Sequence, residues 1–176
     1  MEDAIAPPDI SIRRVRGDEI PLLMDLTLRC WTGTVDGNSS LYRETPDYVA
    51  AQVAHPHGGA VFLLMDDAPI GAGRFFRVPG PAGDARPWIE IKRVGILRQH
   101  RKAGCGPILI RALELAAHAQ IGPAGAQLAV RADQPRLVDF WKALGYSRAD
   151  DVTLSTQNPL TPPPTTMRKW FNGDLT

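Results

Sequence analysis

The chain has 176 residues, of which 44% are hydrophobic, a size and composition that suit one domain spanning residues 1–176 and exclude a disordered segment. Twenty basic residues stand against nineteen acidic ones, and this near-zero net charge excludes a general attraction to nucleic acid or to an anionic membrane. No apolar run could span a bilayer and the first twenty residues lack a signal-peptide core, so we expect a cytoplasmic protein.

The N-terminal part of the chain predicts a strand followed by a helix. Ile10–Val15 alternates apolar and polar residues, as a half-buried strand does. Asp18 is placed to cap a helix that runs to about Cys30. The apolar stripe of this helix consists of Leu22, Leu23, Leu26 and Cys30.

A second helix and a hairpin come next. After the turn-rich residues 32–43, residues 45–47 supply an N-cap threonine, a proline at the first helical position and a first-turn aspartate. A helix should therefore run from here to near His55. Ala60–Met65 and Ile70–Val78 then predict the two strands of a hairpin.

The middle of the chain predicts a strand, a loop and a helix. A loop over residues 78–87, rich in proline and glycine, leads into the apolar run Trp88–Leu97, which predicts a strand. Gly95 within this strand indicates a bulge or the close approach of a ligand. The loop Arg101–Gly106 follows, and a helix should occupy residues 107–120.

This loop has the features of an anion site. Gly104 and Gly106 let the backbone curl so that N–H groups face one concavity, and the helix adds unpaired N–H groups and the positive end of its dipole. Pro107 has no N–H to lose and is tolerated in the first turn. Neither a Walker loop nor the dinucleotide-binding fingerprint is present. The ligand is therefore expected to carry phosphate, in the form of a pyrophosphate.

The C-terminal part predicts three strands and one short helix. Gln127–Val130 has a strand pattern, and residues 135–145 place apolar side chains on one helical face before a closing glycine. Two further strands are expected at Val152–Ser155 and Met167–Phe171. The order β, α, α, β, β, β, α, β, α, β, β predicts a mixed sheet covered by helices on both faces.

Two motifs within residues 88–146 point to one family. The string Arg-x-x-Gly-x-Gly at residues 101–106 lies five residues after Ile96, and the aromatic-rich segment Phe140–Tyr146 follows at the right distance. Together they resemble the motifs of the GNAT superfamily of N-acetyltransferases, which bind acetyl-coenzyme A (acetyl-CoA). The resemblance implies an α/β fold of mixed α+β type, with a mostly antiparallel sheet of about seven strands and helices on both faces.

The resemblance also implies how acetyl-CoA is held. The strands Trp88–Leu97 and Gln127–Val130 would form a splayed parallel pair, with the pantetheine arm inserted between them. The backbone at residues 94–96 would hold the pantetheine and the acetyl carbonyl, and Gln134 replaces an asparagine that the family often has. The residues expected to bind the cofactor are Val94, Gly95, Ile96, Arg101, Lys102, Ala103, Gly104, Cys105, Gly106, Pro107, Gln134 and Trp141.

Glu90 is the candidate general base. Some family members place a catalytic glutamate six residues before the position that matches Ile96, which here is Glu90. Strand alternation predicts that Glu90 shares a face with Val94, at roughly 13 Å, so it would act through water or on a long substrate. A strand glutamate paired with Lys92 or Arg74 is the alternative.

The general acid departs from the family pattern. The tyrosine that protonates the leaving thiolate in the family corresponds to Trp141, whose indole N–H is too weak an acid. Tyr146 is the candidate replacement, ahead of Tyr42 and Tyr48, and its alternative role is an aromatic plug at the end of a helix. The thiolate, with a pKa of about 8.5 for an ordinary thiol, can also leave without an acid.

The acceptor amine is expected to bind among the first 80 residues. Trp31, Asp36 and Tyr42, together with Glu44 and Asp47, can hold a cationic substrate by charge and by aromatic faces. Each of these residues taken alone is equally an ordinary loop or cap residue.

Neither a metal site nor a disulfide is expected. Cys30 and Cys105 are far apart and belong to no Cys-x-x-Cys pair. His55 and His57 flank a proline in a loop-like stretch, whereas a metal site needs three or four convergent ligands. Cys105 at a helix N-terminus either has a lowered pKa or fills a small slot between two glycines.

The expected function is transfer of an acetyl group from acetyl-CoA to the primary amine of a small molecule, directly within a ternary complex. The expected partner is that amine, and binding to nucleic acid or to a membrane is not expected. A homodimer is allowed for. One alternative is a degenerate member that binds acyl-CoA as a sensor, which Trp141 favours. Another is an unrelated phosphate-binding module, which leaves the second motif unexplained.

Overall fold

The computed structural model describes residues 7–173. The strands are β1 (Ile10–Arg14), β2 (Gly58–Met65), β3 (Ala68–Val78), β4 (Trp88–Ile96), β5 (Gly125–Val130), β6 (Ser147–Arg148) and β7 (Thr165–Trp170). The α-helices are α1 (Ile20–Trp31), α2 (Pro46–Val53), α3 (Cys105–Ile121) and α4 (Leu137–Ala143).

One mixed sheet joins the seven strands in the order β1-β2-β3-β4-β5-β7-β6. Adjacent strands are antiparallel except for β4 and β5, which are parallel and connected through α3. Helices α3 and α4 pack on one face of the sheet, and α1 and α2 pack on the other. The expected seven-stranded, mostly antiparallel sheet with one parallel pair and helices on both faces is confirmed.

Strand β2 shows why the sequence folds in these layers. Val61 and Leu63 pack on the α3 side, whereas Phe62 and Leu64 pack on the side of α1 and α2. Successive side chains point to opposite faces, so a strand covered on both sides requires a continuous apolar run. The predicted hairpin is confirmed, and its turn consists of the two left-handed residues at 66–67.

The start of α1 differs from the prediction. A 3₁₀ turn precedes the helix, and the cap position is Glu19 rather than Asp18. The Glu19 carboxylate reaches back to accept the Arg16 N–H at 3.0 Å. Leu22 of the expected apolar stripe is 37% exposed, whereas Ile20 is buried. The buried face of α1 therefore begins at Ile20, two residues before Leu22.

A β-bulge interrupts β4 where it faces β3. Between Lys92 and Gly95, which both pair with β3, two residues of β4 oppose a single residue of β3. These two residues are Arg93, with a left-handed φ of 57°, and Val94. An extra residue of this kind reverses the alternation of side chains beyond it.

This bulge overturns the expected alternation along β4. Ile89 and Ile91 face α3 before the bulge, whereas Val94 and Ile96 face α3 after it. Glu90 lies between two residues that face α3 and therefore points to the opposite face from Val94. The expectation that Glu90 and Val94 share a face is wrong, because a regular strand without a bulge was assumed.

The sixth strand also lies elsewhere than predicted. The expected strand Val152–Ser155 is absent, and the strand beside β7 is Ser147–Arg148 instead. Because β7 pairs with β5 along its other edge, both of its edges are occupied. Residues 152–155 instead run over the sheet, where the Gln127 side-chain amide donates to the Thr153 carbonyl at 2.8 Å.

Gly95 is required where β4 passes under the end of α1. A Cβ atom at this position would lie 2.7 Å from Cβ of Cys30 and 2.9 Å from Nε1 of Trp31. We therefore expect Gly95→Val to lower the free energy of unfolding by about 1–3 kcal/mol. The melting temperature should fall by roughly 3–10 °C, measured by calorimetry.

Gly17→Val is the matched control, because the space around Gly17 is open. It should change the free energy of unfolding by no more than about 0.5 kcal/mol. Equal melting temperatures for the two variants would contradict the close packing at Gly95.

Candidate active site

The parallel strands β4 and β5 separate shortly after they meet. Only Ile89 with Ala126 and Glu90 with Gln127 are paired, although β4 continues to Ile96. The edge of β4 that faces β5 is therefore without a strand partner beyond Glu90, and its main-chain groups are available to a ligand. A cleft of about 1460 Å³ opens between the two strands. The implied splayed pair is confirmed.

The N-terminus of α3 forms one end of this cleft. The helix begins at Cys105, two residues earlier than predicted, and Gly104 before it has a left-handed φ of 76°. The first-turn N–H groups of a helix have no partner within the helix, and its dipole is positive there. Gly104, Gly106 and Pro107 line the cleft. Ala103 is not among the lining residues, and the Cys105 side chain is buried in the core beneath the loop.

Arg101 connects this loop to the ends of β4 and α1. Its guanidinium donates to the Ile96 carbonyl at 3.0 Å and also to the carbonyl of Cys30 near the end of α1. The latter is one of the carbonyls that a helix leaves unpaired at its C-terminus. Arg101, one of the expected cofactor-binding residues, lines the cleft, and its Nε and one Nη atom are directed to protein carbonyls.

Glu90 is buried at the point where β4 and β5 separate. Its carboxylate accepts hydrogen bonds from the Gln127 side-chain amide at 2.9 Å, the Ser155 N–H at 3.0 Å and the Ser155 hydroxyl at 2.7 Å. The alternative pairing of Glu90 with Lys92 or Arg74 is not found, because Arg74 forms its ion pair with Glu44. Glu90 thus lines the cleft and also holds the segment that follows β6.

Of the two aromatic residues considered for the general acid, Trp141 lines the cleft and Tyr146 does not. Trp141 lines the cleft and packs edge-to-face against the ring of Tyr146, with ring centroids 5.0 Å apart. Tyr146 itself is 2% exposed, is not a lining residue, and donates its hydroxyl to Glu114 of α3 at 2.9 Å. Burial, together with the Glu114 charge, raises the pKa of Tyr146 well above its usual range. The geometry does not bring this hydroxyl to the cleft.

Residues 20–146 match the model of the acetyltransferase (GNAT) family. The chain belongs to the GNAT family. It is 34% identical over 86 residues to the uncharacterized N-acetyltransferase YjcF of Bacillus subtilis (strain 168). That match takes in 49% of the chain and 54% of the relative, so the chain spans about half the length of this curated relative.

Solved GNAT structures share the fold. The PaiA N-acetyltransferase of Thermoplasma acidophilum in complex with coenzyme A has a TM-score of 0.71 and 14% identity, covering 93% of this chain and 99% of that one. Arabidopsis thaliana Naa50 in complex with the bisubstrate analogue CoA-Ac-MVNAL has a TM-score of 0.66 and 18% identity, covering 92% and 99%. At such identities the likeness shows the fold.

The opposite end of the cleft of this GNAT chain contains some of the expected acceptor residues. Trp31 and Asp36 line it, whereas Tyr42 is 43% exposed and is not a lining residue. Asp36 accepts the Asn38 N–H at 2.7 Å. Gln134 also lines the cleft and donates its amide to the carbonyl of Thr34 at 2.7 Å, so it connects the two loops.

Lys92 is a cleft residue that the sequence analysis did not select. Its ammonium donates to the Thr156 hydroxyl at 2.6 Å and lies 5.9 Å from the ring centroid of Tyr48. Burial first, and then the positive charge of Arg93, lower the pKa of Lys92 to about 8. A signal was present, since Glu90, Lys92 and Arg93 are charged residues inside an otherwise apolar strand.

Two further properties concern the described part of the chain. Within residues 7–173, every helix is too short or too polar to traverse a bilayer. The same residues contain no group of three or more His, Cys, Asp or Glu side chains arranged to hold a metal ion.

The lowered pKa of Lys92 has a measurable consequence for stability. The pKa is about 8 in the folded chain and about 10.4 in an unfolded one, so the unfolded state binds more protons between these values. The charged Lys92 therefore lowers the free energy of unfolding at pH values below about 8. This destabilisation should disappear as the pH increases from about 8 to about 10.4. We expect Lys92→Met to raise the melting temperature at pH 7 and to lose this advantage by pH 10.

Calorimetry at both pH values tests this, with Lys142→Met as the control because Lys142 is exposed. The control should shift the melting temperature little, and by the same amount at both pH values. A pH-independent effect of Lys92→Met would contradict the shifted pKa.

Proposed function

We propose that this chain transfers an acetyl group from acetyl-CoA directly to the primary amine of a small molecule, with both substrates in the cleft at once. The observation that carries the proposal is a cleft that extends from the N-terminus of α3, along the unpaired edge of β4, to the loop at residues 34–41. The bisubstrate analogue seen with Naa50 supports it, since a fold that accepts such a molecule has room for both substrates.

The cofactor end of the cleft suits coenzyme A. The N–H groups of Cys105, Gly106 and Ile108 are in the first turn of α3 and can bind a pyrophosphate. Lys102 and Arg136 line the same region and add positive charge. Coenzyme A bound to PaiA supports this assignment by likeness of fold.

The unpaired edge of β4 provides the remaining cofactor contacts. Acetyl-CoA supplies an activated thioester, and its flexible arm needs hydrogen-bonding partners between the two strands. Main-chain groups at Val94, Gly95 and Ile96 have no strand partner on the β5 side and can bind that arm. An N–H in this position would stabilise negative charge that develops on the acetyl oxygen, an effect worth about 3 kcal/mol where such donors have been removed.

Glu90 is the proposed acceptor of the proton from the amine. Its carboxylate lines the cleft and can receive that proton through a water molecule. The carboxylate also accepts three hydrogen bonds, from the Gln127 amide and from the N–H and hydroxyl of Ser155. The alternative role of Glu90 is structural, since its hydrogen bonds hold the segment around Ser155 in place.

Neither Trp141 nor Tyr146 supplies a general acid for the leaving thiolate. Trp141 stands where the family's tyrosine would be, and the Tyr146 hydroxyl is directed to Glu114. We propose that the thiolate departs unprotonated, which its ordinary pKa of about 8.5 permits. The same observation supports the second candidate function, an acyl-CoA sensor without turnover.

Titration with acetyl-CoA tests the cofactor site. Gly104→Val places a β-branched side chain at a φ of 76°, which such residues rarely adopt, and it disturbs the backbone before the helix. We expect the affinity for acetyl-CoA to fall at least tenfold, measured by calorimetry, while the fold is retained.

Gly83→Val is the matched control, because Gly83 has a φ of 88° and open space around it but lies in the loop between β3 and β4. Unchanged affinity in Gly104→Val would refute the cofactor site. Release of thiol over a panel of amines then separates the two candidate functions, since a sensor binds acetyl-CoA without turnover.

Substitution of Glu90 tests the base. Glu90→Gln should lower kcat by about 10²- to 10⁴-fold and remove the acid limb of the pH–rate profile, with the affinity for acetyl-CoA preserved. Ser155→Ala removes one hydrogen bond to the carboxylate and leaves the carboxylate in place, so it should lower kcat less than tenfold. Equal losses in both variants would assign Glu90 to the holding role.

A further inference from the structure

The acceptor side of the cleft has an unbalanced positive charge. Lys92 and Arg74 are paired across β4 and β3, and Arg93 follows Lys92 at the bulge. The carboxylates near these three cations are Glu44 and Glu90. Three positive charges, counting Lys92 itself, therefore lie near two negative ones in the surroundings of Lys92.

Both carboxylates already have their own partners. Glu44 accepts Nε of Arg93 at 3.0 Å and is ion-paired with Arg74, which is 1% exposed. Glu90 is occupied by the three donors described above. The Lys92 ammonium is bound to the neutral hydroxyl of Thr156, and in the described part of the chain it forms no ion pair.

A buried cation without an anion is unfavourable, and the binding of an anionic group relieves it. Desolvation weakens the charged form of a lysine unless an opposite charge is close. The lowered pKa of Lys92 agrees with this unfavourable environment. An ammonium has three donors, so two of them remain after the bond to Thr156.

Two of the acidic residues that line the cleft form contacts within the protein. Asp133 forms an ion pair with Arg131 at 2.9 Å and also accepts the Asp36 N–H at 3.2 Å. Asp36 accepts the N–H of Asn38. These contacts hold the loops around the cleft together.

We propose that the acetyl acceptor carries a carboxylate in addition to the reacting amine, and that Lys92 binds this carboxylate. The inference rests on the proposed acetyl transfer and names the chemical class of its substrate. Lys92 is two to three residues from the β4 edge at Val94 and Gly95, so its Cα lies at most about 10 Å from that edge. This spacing suits a small aminocarboxylate in which a few bonds separate the two groups.

A panel of matched acceptors tests the inference. Amino acids whose carboxylate lies one to four carbons from the amine are compared with their carboxamides, and kcat/KM is measured by thiol release from acetyl-CoA. We expect at least one acid to exceed its amide by about 10- to 100-fold, the range for a hydrogen bond to a charged group. Lys92→Met should reduce this ratio at least tenfold, and Lys92→Arg should retain most of it.

A substitution that lowers the overall activity of the enzyme lowers kcat/KM for the acid and for its amide alike. The acid-to-amide ratio therefore reports only on recognition of the carboxylate. Amides that react as well as acids, acceptors confined to amines without a carboxylate, or an unchanged ratio in Lys92→Met would each overturn the inference while leaving acetyl transfer intact. Binding of acetyl-CoA without turnover of any amine would overturn acetyl transfer and the inference together.

Discussion

The separation of β4 from β5 after two paired residues is the constraint on which the site depends. Parallel strands must be joined by a crossover, and here that crossover is α3, which starts beyond the end of β4. The positive end of the helix and the unpaired main chain of β4 therefore meet at the same place. This meeting of helix end and unpaired strand edge follows from the order in which the chain connects β4, α3 and β5, and it requires no particular side chain.

The bulge at Arg93 and Val94 gives the two halves of β4 different surroundings. Before the bulge, Glu90 and Lys92 point to the face that carries α1 and α2, where the acceptor is proposed to bind. After it, the same face is presented by Gly95, which lies under the end of α1. The extra residue thus places charged side chains and close backbone packing on one face of a single strand.

Much of the fold could be predicted from the sequence, because its signals are local. The apolar run of β2, the proline at the start of α2 and the glycines of the loop before α3 each indicate their own structure. Gly95 indicated a bulge or the close approach of a ligand, but the position of the bulge at Arg93 and Val94 could not be predicted, since Arg93 is not a glycine. The sixth strand was misplaced because residues 152–155 have a strand-like pattern, and only the occupied edges of β7 exclude it.

The site was predictable where it consists of backbone and less so where it consists of side chains. The loop at residues 101–106 follows from glycine positions, whereas the partners of Glu44 and Glu90 are distant in the chain. Arg101 illustrates the consequence. Its guanidinium connects the loop at residues 101–106 to the end of α1, which also carries Trp31 over Gly95. The two halves of the cleft thus share one side chain, and replacing Arg101 would remove contacts of both halves at once.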